Sequence, residues 1–201
     1  MLNGGSFTAD AITVTNYSTV AFTPNGMGGA TFTDTGVLPI FGFTSGNSIA
    51  PTPGLNQPGG YGLYFGFDAT GVQNTETLTP TTVGTFTTLN FQLYGYNITG
   101  AVSYNPTNTT PTGVDSPILL GTGTLNNGTV GTNLISGQVL PNANAETSFT
   151  IAPGYEAFFQ SQDPFYNAVF SSFINNPGQV AVGPGGFVIS QGGGSVNFLE
   201  T

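Results

Sequence analysis

No lysine, arginine or histidine occurs in the 201 residues, and the nine acidic side chains leave a formal net charge of −9 at pH 7. A chain without one cationic side chain cannot neutralise phosphates, which argues against nucleic-acid binding and against basic attachment to anionic membranes. It can form no side-chain salt bridge, so any cation beside it, the N-terminus apart, comes from solvent, a metal ion or a partner. Cysteine is absent as well. That excludes a disulfide-stapled mini-domain and leaves the redox compartment unread. No apolar run approaches the roughly 18 residues that span a bilayer as a helix. Met1 is followed by LNGGSFTADA, which has neither the charged start nor the apolar centre of a secretory leader.

The same absences narrow catalysis. There is no imidazole to activate a serine, no thiolate, no Schiff-base amine and no guanidinium clamp. Paired carboxylates remain, as in glycoside hydrolases and aspartic proteases. The nine acids, Asp10, Asp34, Asp68, Glu76, Asp115, Glu146, Glu156, Asp163 and Glu200, stand singly along the chain. We read them as solvated turn and strand-edge groups, with no catalytic, cofactor-binding or metal-ligating residue assigned. A metal would find oxygen ligands only, which points to calcium held mainly by backbone and Asn carbonyls, but no run of alternating acids marks a calcium loop.

What is present is β-type sequence. Hydrophobic residues make up 38%, enough for one domain over residues 1–201 that buries about 70% of its unfolded surface. The 31 glycines and 14 prolines fall between apolar runs without a fixed period, unlike collagen or simple disorder. Between Phe7 and Phe43, Ile12, Val14, Val20 and Phe22 alternate with threonines, a sheet wet on one face. Residues 45–60 read as a loop, Tyr61–Ala69 as a strand, and Thr85–Tyr96 as a long strand with a phase slip near Thr87-Thr88 that suggests a bulge. Ile98–Tyr104 is expected to pair back on it, and Asn105–Ser116 to be loop. Asn126-Asn127-Gly128 signals a hairpin turn between Pro117–Leu125 and Thr129–Leu140. Pro141–Ala145 turns, and Thr147–Ile151 is one more strand.

The region Tyr155–Phe198 carries the one helix signal, near 164–174. Asp163-Pro164 suits a helix opening, Tyr166, Val169, Phe170 and Phe173 recur on one helical face, and Asn175-Asn176-Pro177-Gly178 would stop it. The expected fold is all-β, an antiparallel β-sandwich or jelly-roll-like pair of sheets with this short helix over an open end or edge. Gly183–Gly186 and Gly192–Gly194 read as turns rather than phosphate cradles, since neither opens a helix after a strand and no lysine follows.

Four sequons, at Asn16, Asn97, Asn108 and Asn127, could accept N-glycans. Tyr61, Tyr64, Tyr94, Tyr96 and Tyr104 are the aromatics to test as sugar-stacking surfaces, each offering a flat apolar face with a polar tip. The segments FTADAITVTNYSTVAF, TGVLPIFGF, YGLYFGFDATG, FQLYGYN, GTGTLNNGTV, AFFQSQDPFYNAVFSSFINNPGQV and GGFVISQGGGSVNF make nearly the whole chain resemble flocculation-associated PEP-CTERM proteins of bacteria. The resemblance implies export, a C-terminal sorting tail read by an exosortase, and a link to exopolysaccharide-dependent flocs and biofilms. The sequence ends at Leu199-Glu200-Thr201 without that tail's signature, so the resemblance implies that leader and tail are processed away or lie outside it.

The expectation is therefore a non-enzymatic, secreted structural protein of a biofilm matrix or cell surface. It would assemble with itself, as an oligomer or filament, through β-strand addition. No lysine guards its strand edges, and residues 1–15 are the candidate exchanged or edge strand, with Phe7–Val14 as donor. An exopolysaccharide-binding, lectin-like module is the alternative, and a carboxylate-dependent glycoside hydrolase the third reading.

Overall fold

The computed structural model describes residues 6–46, 48–159, 167–174, 177–183 and 185–199. Its strands are β1 (Ala11–Pro24), β2 (Ala30–Ser45), β3 (Ser48–Ile49), β4 (Tyr61–Gln73), β5 (Val83–Asn97), β6 (Ile118–Ile135), β7 (Gln138–Ile151), β8 (Asn167–Ile174), β9 (Val180–Gly183) and β10 (Gly186–Leu199). All ladders between them are antiparallel, as expected of an all-β chain. They belong to one sheet in the order β1-β10-β8-β7-β6-β5-β4-β2-β3, and β1 also pairs with β2. That last pairing closes a ring of eight strands, with β3 and β9 as flaps on β2 and β10. The strands thus form an up-and-down meander whose sheet curls round until β1 meets β2.

The threonine alternation explains which way the strands face. Ile12, Val14 and Val20 are buried within the ring, while Thr13 and Ala21 are exposed outside it. Outward threonines are the reverse of the apolar belt that a lipid-facing barrel wears. Among the described residues no helix is long and apolar enough to cross a membrane. The interior holds two apolar clusters, a larger one around Leu38, Phe65, Phe91 and Val196 and a smaller one of Val20, Phe32, Phe187 and Ile189. Phenylalanines from alternate strands meet over an intervening glycine. Phe32 and Phe86 flank Gly71, with ring centroids 5.7 Å apart, and Phe91 and Phe149 flank Gly123 at 6.1 Å. Large-small-large rows of this kind fill a tapering barrel without collision.

A third cluster lies outside the ring. Val37, Tyr64 and Tyr96 are buried beneath the loop of residues 98–116, which brings Tyr104 onto Tyr17 at 5.4 Å and holds Pro106 by a 3.0 Å hydrogen bond from Thr19 Oγ1 to its carbonyl. Glycines let that cover lie close. A Cβ at Gly62 would meet the Tyr96 ring, and one at Gly66 the Thr109 carbonyl at 2.5 Å. Ile98–Tyr104 therefore does not pair back on β5 as expected; apart from a bridge between Ser103 and Thr112 it is loop.

The expected bulge is present, because Thr70 pairs with Thr88 and Gly71 with Phe86, leaving Thr87 over. Two other expectations are corrected. The β6–β7 hairpin exists, but its turn is Ser136-Gly137, both at positive φ (51° and 79°), the pattern of a type I′ turn. Asn126-Asn127-Gly128 is inside β6 at a second register shift, where Gly128 sits beneath the Phe86 ring. Pro141–Ala145 is accordingly strand, part of β7. The second correction concerns the helix near 164–174. Asn167–Ile174 is a strand that pairs with β10 on one side and β7 on the other. A lone helix of under three turns is marginal in water, whereas a β-branched and aromatic run set between two strands gains ladder hydrogen bonds on both flanks. Residues 164–166, with Asp163 before them, lie outside the described residues.

Candidate functional site

The inward face of β1 reads Ile12, Val14, Asn16, Ser18, Val20, Phe22, so two polar side chains interrupt an apolar stripe. Asn16 is 4% exposed and Ser18 is 0% exposed. On β2, Val20 pairs with Asp34 and Ser18 with Gly36, which sets the Asp34 side chain beside Ser18 on the barrel's inner wall. Gly36 is required by this contact, since a Cβ there would come within 2.5 Å of the Ser18 Cβ.

Three oxygens in this layer, Asn16 Oδ1, Ser18 Oγ and Asp34 Oδ1, are buried without a hydrogen-bond partner. Leaving a buried polar atom unpaired costs about 1–3 kcal/mol, so three in one layer call for an explanation. Burial pushes the Asp34 carboxyl up to about 7. The adjacent Ser18 hydroxyl pulls the other way, but it is not in hydrogen-bonding geometry and offsets little.

Asn16 and Asp34 face a cavity of about 80 Å³ that lies between the two inner clusters and is partly open to solvent. Its wall is apolar on most sides, with Phe32, Phe67, Phe86 and Phe91 among the residues that form it. Asp34 is the one ionisable side chain in that wall. Gln73 and Thr82 also line it, but both are internally bonded, Gln73 Nε2 donating to the Thr75 carbonyl at 2.8 Å and Thr82 Oγ1 lying 2.8 Å from Thr75 Oγ1. Asn142 lines it as well, and the buried oxygens without a partner among the lining residues are those of Asn16 and Asp34. An apolar pocket with a few convergent polar groups is the usual form of a small-molecule site.

The remaining sequence-level candidates are placed elsewhere. Asp10 accepts from the Gly46 amide at 2.6 Å, Asp68 from Asn90 at 3.0 Å and Glu146 from Asn127 at 2.6 Å, all at the surface. Asp163 and Glu200 lie outside the described residues. Among the described residues no three acids gather into a metal-binding group. Asn97, Asn108 and Asn127 are exposed, but the sequon at Asn16 is inside the barrel. The tyrosines are not an open platform. Tyr61, Tyr64 and Tyr96 are buried, while the half-buried Tyr94 and Tyr104 stack on Tyr64 and Tyr17. Burial pushes the Tyr64 hydroxyl up to about 12. Of the glycine groups, Gly183 ends β9 and pairs with Gly186 at the start of β10, whereas 192–194 runs within β10 beside a register shift.

The Asn16–Ser18–Asp34 layer was open to detection. Counting by twos from Ile12 and Val14 to Val20 and Phe22 places Asn16 and Ser18 on the apolar face, and counting from Phe32 does the same for Asp34. The signal was an interruption in an otherwise apolar alternation. Comparison with family models, curated proteins and solved structures finds no match to this chain, so its site is read from its own geometry.

Proposed function

We propose that the protein binds a slender, largely apolar small molecule inside its barrel. One observation carries the reading: Asn16 and Asp34, each with a buried oxygen that has no hydrogen-bond partner, stand in the wall of a largely apolar cavity. An occupant with one polar end would satisfy those oxygens and bury its apolar remainder, at about 25 cal/mol per Å² removed from water. Binding fits better than catalysis, because a glycosidase mechanism needs two carboxyls and this wall supplies one.

A short linear alcohol such as 1-hexanol tests it. Calorimetry on the full chain should show one molecule bound, and filling the cavity from its wall with Ala145→Phe should abolish the signal while the fold, followed by circular dichroism, persists. Absence of binding, or binding indifferent to Ala145→Phe, overturns the reading.

A second reading, the self-assembling extracellular matrix protein expected from the composition and the family resemblance, is favoured by β9. Among the described residues this strand pairs only with β10, carries no charge and leaves Val182 65% exposed. Such an edge suits strand addition by a second copy. The Phe7–Val14 segment supports it less. From Ala11 onward it belongs to β1, whose two flanks are taken by β2 and β10.

A further inference from the structure

We propose that Asn16 and Asp34 receive the primary ammonium group of a small amine whose apolar body occupies the cavity. The inference rests on the ligand-binding reading above and names the chemistry of the ligand's polar end. The argument is one of matching. On the cavity wall, Asn16 Oδ1 and the Asp34 carboxylate are acceptors only, and Asn16 Oδ1 and Asp34 Oδ1 have no hydrogen-bond partner. A primary ammonium brings three N–H donors from one atom, an alcohol one, and a carboxylate none. Hydrogen bonds in which both partners are charged are roughly twice as strong as neutral ones.

Charge points the same way. The chain has no lysine, arginine or histidine with which to answer a buried carboxylate, so a countercharge for Asp34 has to arrive with the ligand. An inorganic cation fits poorly, because calcium takes six to eight oxygens and this wall is apolar on most sides, with Asp34 its one carboxylate. An organic cation brings its own apolar body, and the rings of Phe32 and Phe86 on the same cavity wall favour a positive charge over a negative one. Ionised Asp34, destabilised by burial, is stabilised by that partner.

The experiment compares 1-hexylamine, 1-hexanol and hexanoate on the full chain by calorimetry at mildly alkaline pH. The amine should bind once per chain and at least about tenfold more tightly than the alcohol, the margin expected of a charge-assisted bond, and hexanoate should not bind. Asp34→Asn should bring the amine-to-alcohol ratio close to one, and Asn16→Ala, which changes no charge and keeps the assignment testable if Asp34→Asn misfolds, should lower that ratio by a smaller factor. Amine and alcohol binding equally would overturn the ammonium assignment and leave the cavity reading standing. Failure of all three to bind would overturn both. Tightest binding by hexanoate, or a rise in Tm with sodium or potassium chloride equal to that with the amine, would also overturn the assignment.

Discussion

Asp34 is the residue at which the fold and its chemistry conflict. Its ordinary pKa of 3.8 holds in the unfolded chain, and burial pushes it up to about 7 in the barrel. The folded state therefore holds a proton that the unfolded state has released between those values, and stability falls as pH rises through that window. Below about 4 both states are protonated and the penalty is absent; above about 7 it is complete. At about 1.4 kcal/mol per unit, the loss amounts to a few kcal/mol. Urea midpoints measured from acid to mildly alkaline pH should drop across the window in the wild type, and Asp34→Asn should flatten the drop. A wild-type midpoint that rises over the same range would show that the carboxyl is ionised at no cost, hence solvated.

At the scale of elements, the sheet is arranged by its phenylalanine and glycine rows. The Phe91 ring reaches over Gly123 to stack on Phe149, and an added Cβ at Gly123 would meet Phe91 at 2.0 Å and the Ser148 carbonyl at 2.5 Å. One of these is backbone, so a rotamer change cannot relieve both contacts. Gly123→Ala is expected to cost about 1–3 kcal/mol by overpacking, seen as a lower denaturant midpoint at unchanged slope. A neutral or stabilising result would mean the row is loosely packed. Local patterns were legible at this scale where they concern one strand, as with the Thr87 bulge and the inward stripe of β1. They misled where neighbours decide. Asn127-Gly128 has the chemistry of a turn, yet Gly128 serves to clear the Phe86 ring and the reversal occurs at Ser136-Gly137. The run Asn167–Ile174 fits helical spacing, but flanking strands on both sides select the extended form.

For the whole molecule, closure is the deciding property, because a closed ring removes the free edges that an uncharged, threonine-rich sheet would otherwise present. β9 stands outside that protection. If it is the route to self-assembly, Val182→Lys should abolish filaments or oligomers seen by electron microscopy and size-exclusion chromatography, because a charge at an exposed edge position blocks pairing. Assemblies unchanged by that substitution would rule out β9 as the contact. Hexanol binding serves as a control, since Val182 is not among the residues that line the cavity.

Composition alone made the chain β-rich and charge-poor and stripped it of imidazole, thiolate and amine chemistry, since those properties depend only on which side chains exist. Alternation alone divided each strand into an inner and an outer face, because the pleat has a period of two whatever the partner. Closure, the true place of the β6–β7 turn and the meeting of Asn16 and Asp34 at a cavity were decided by tertiary structure. Each depends on which strands become neighbours, and that is set by pairing register and packing between residues far apart in the chain, beyond the reach of local spacing.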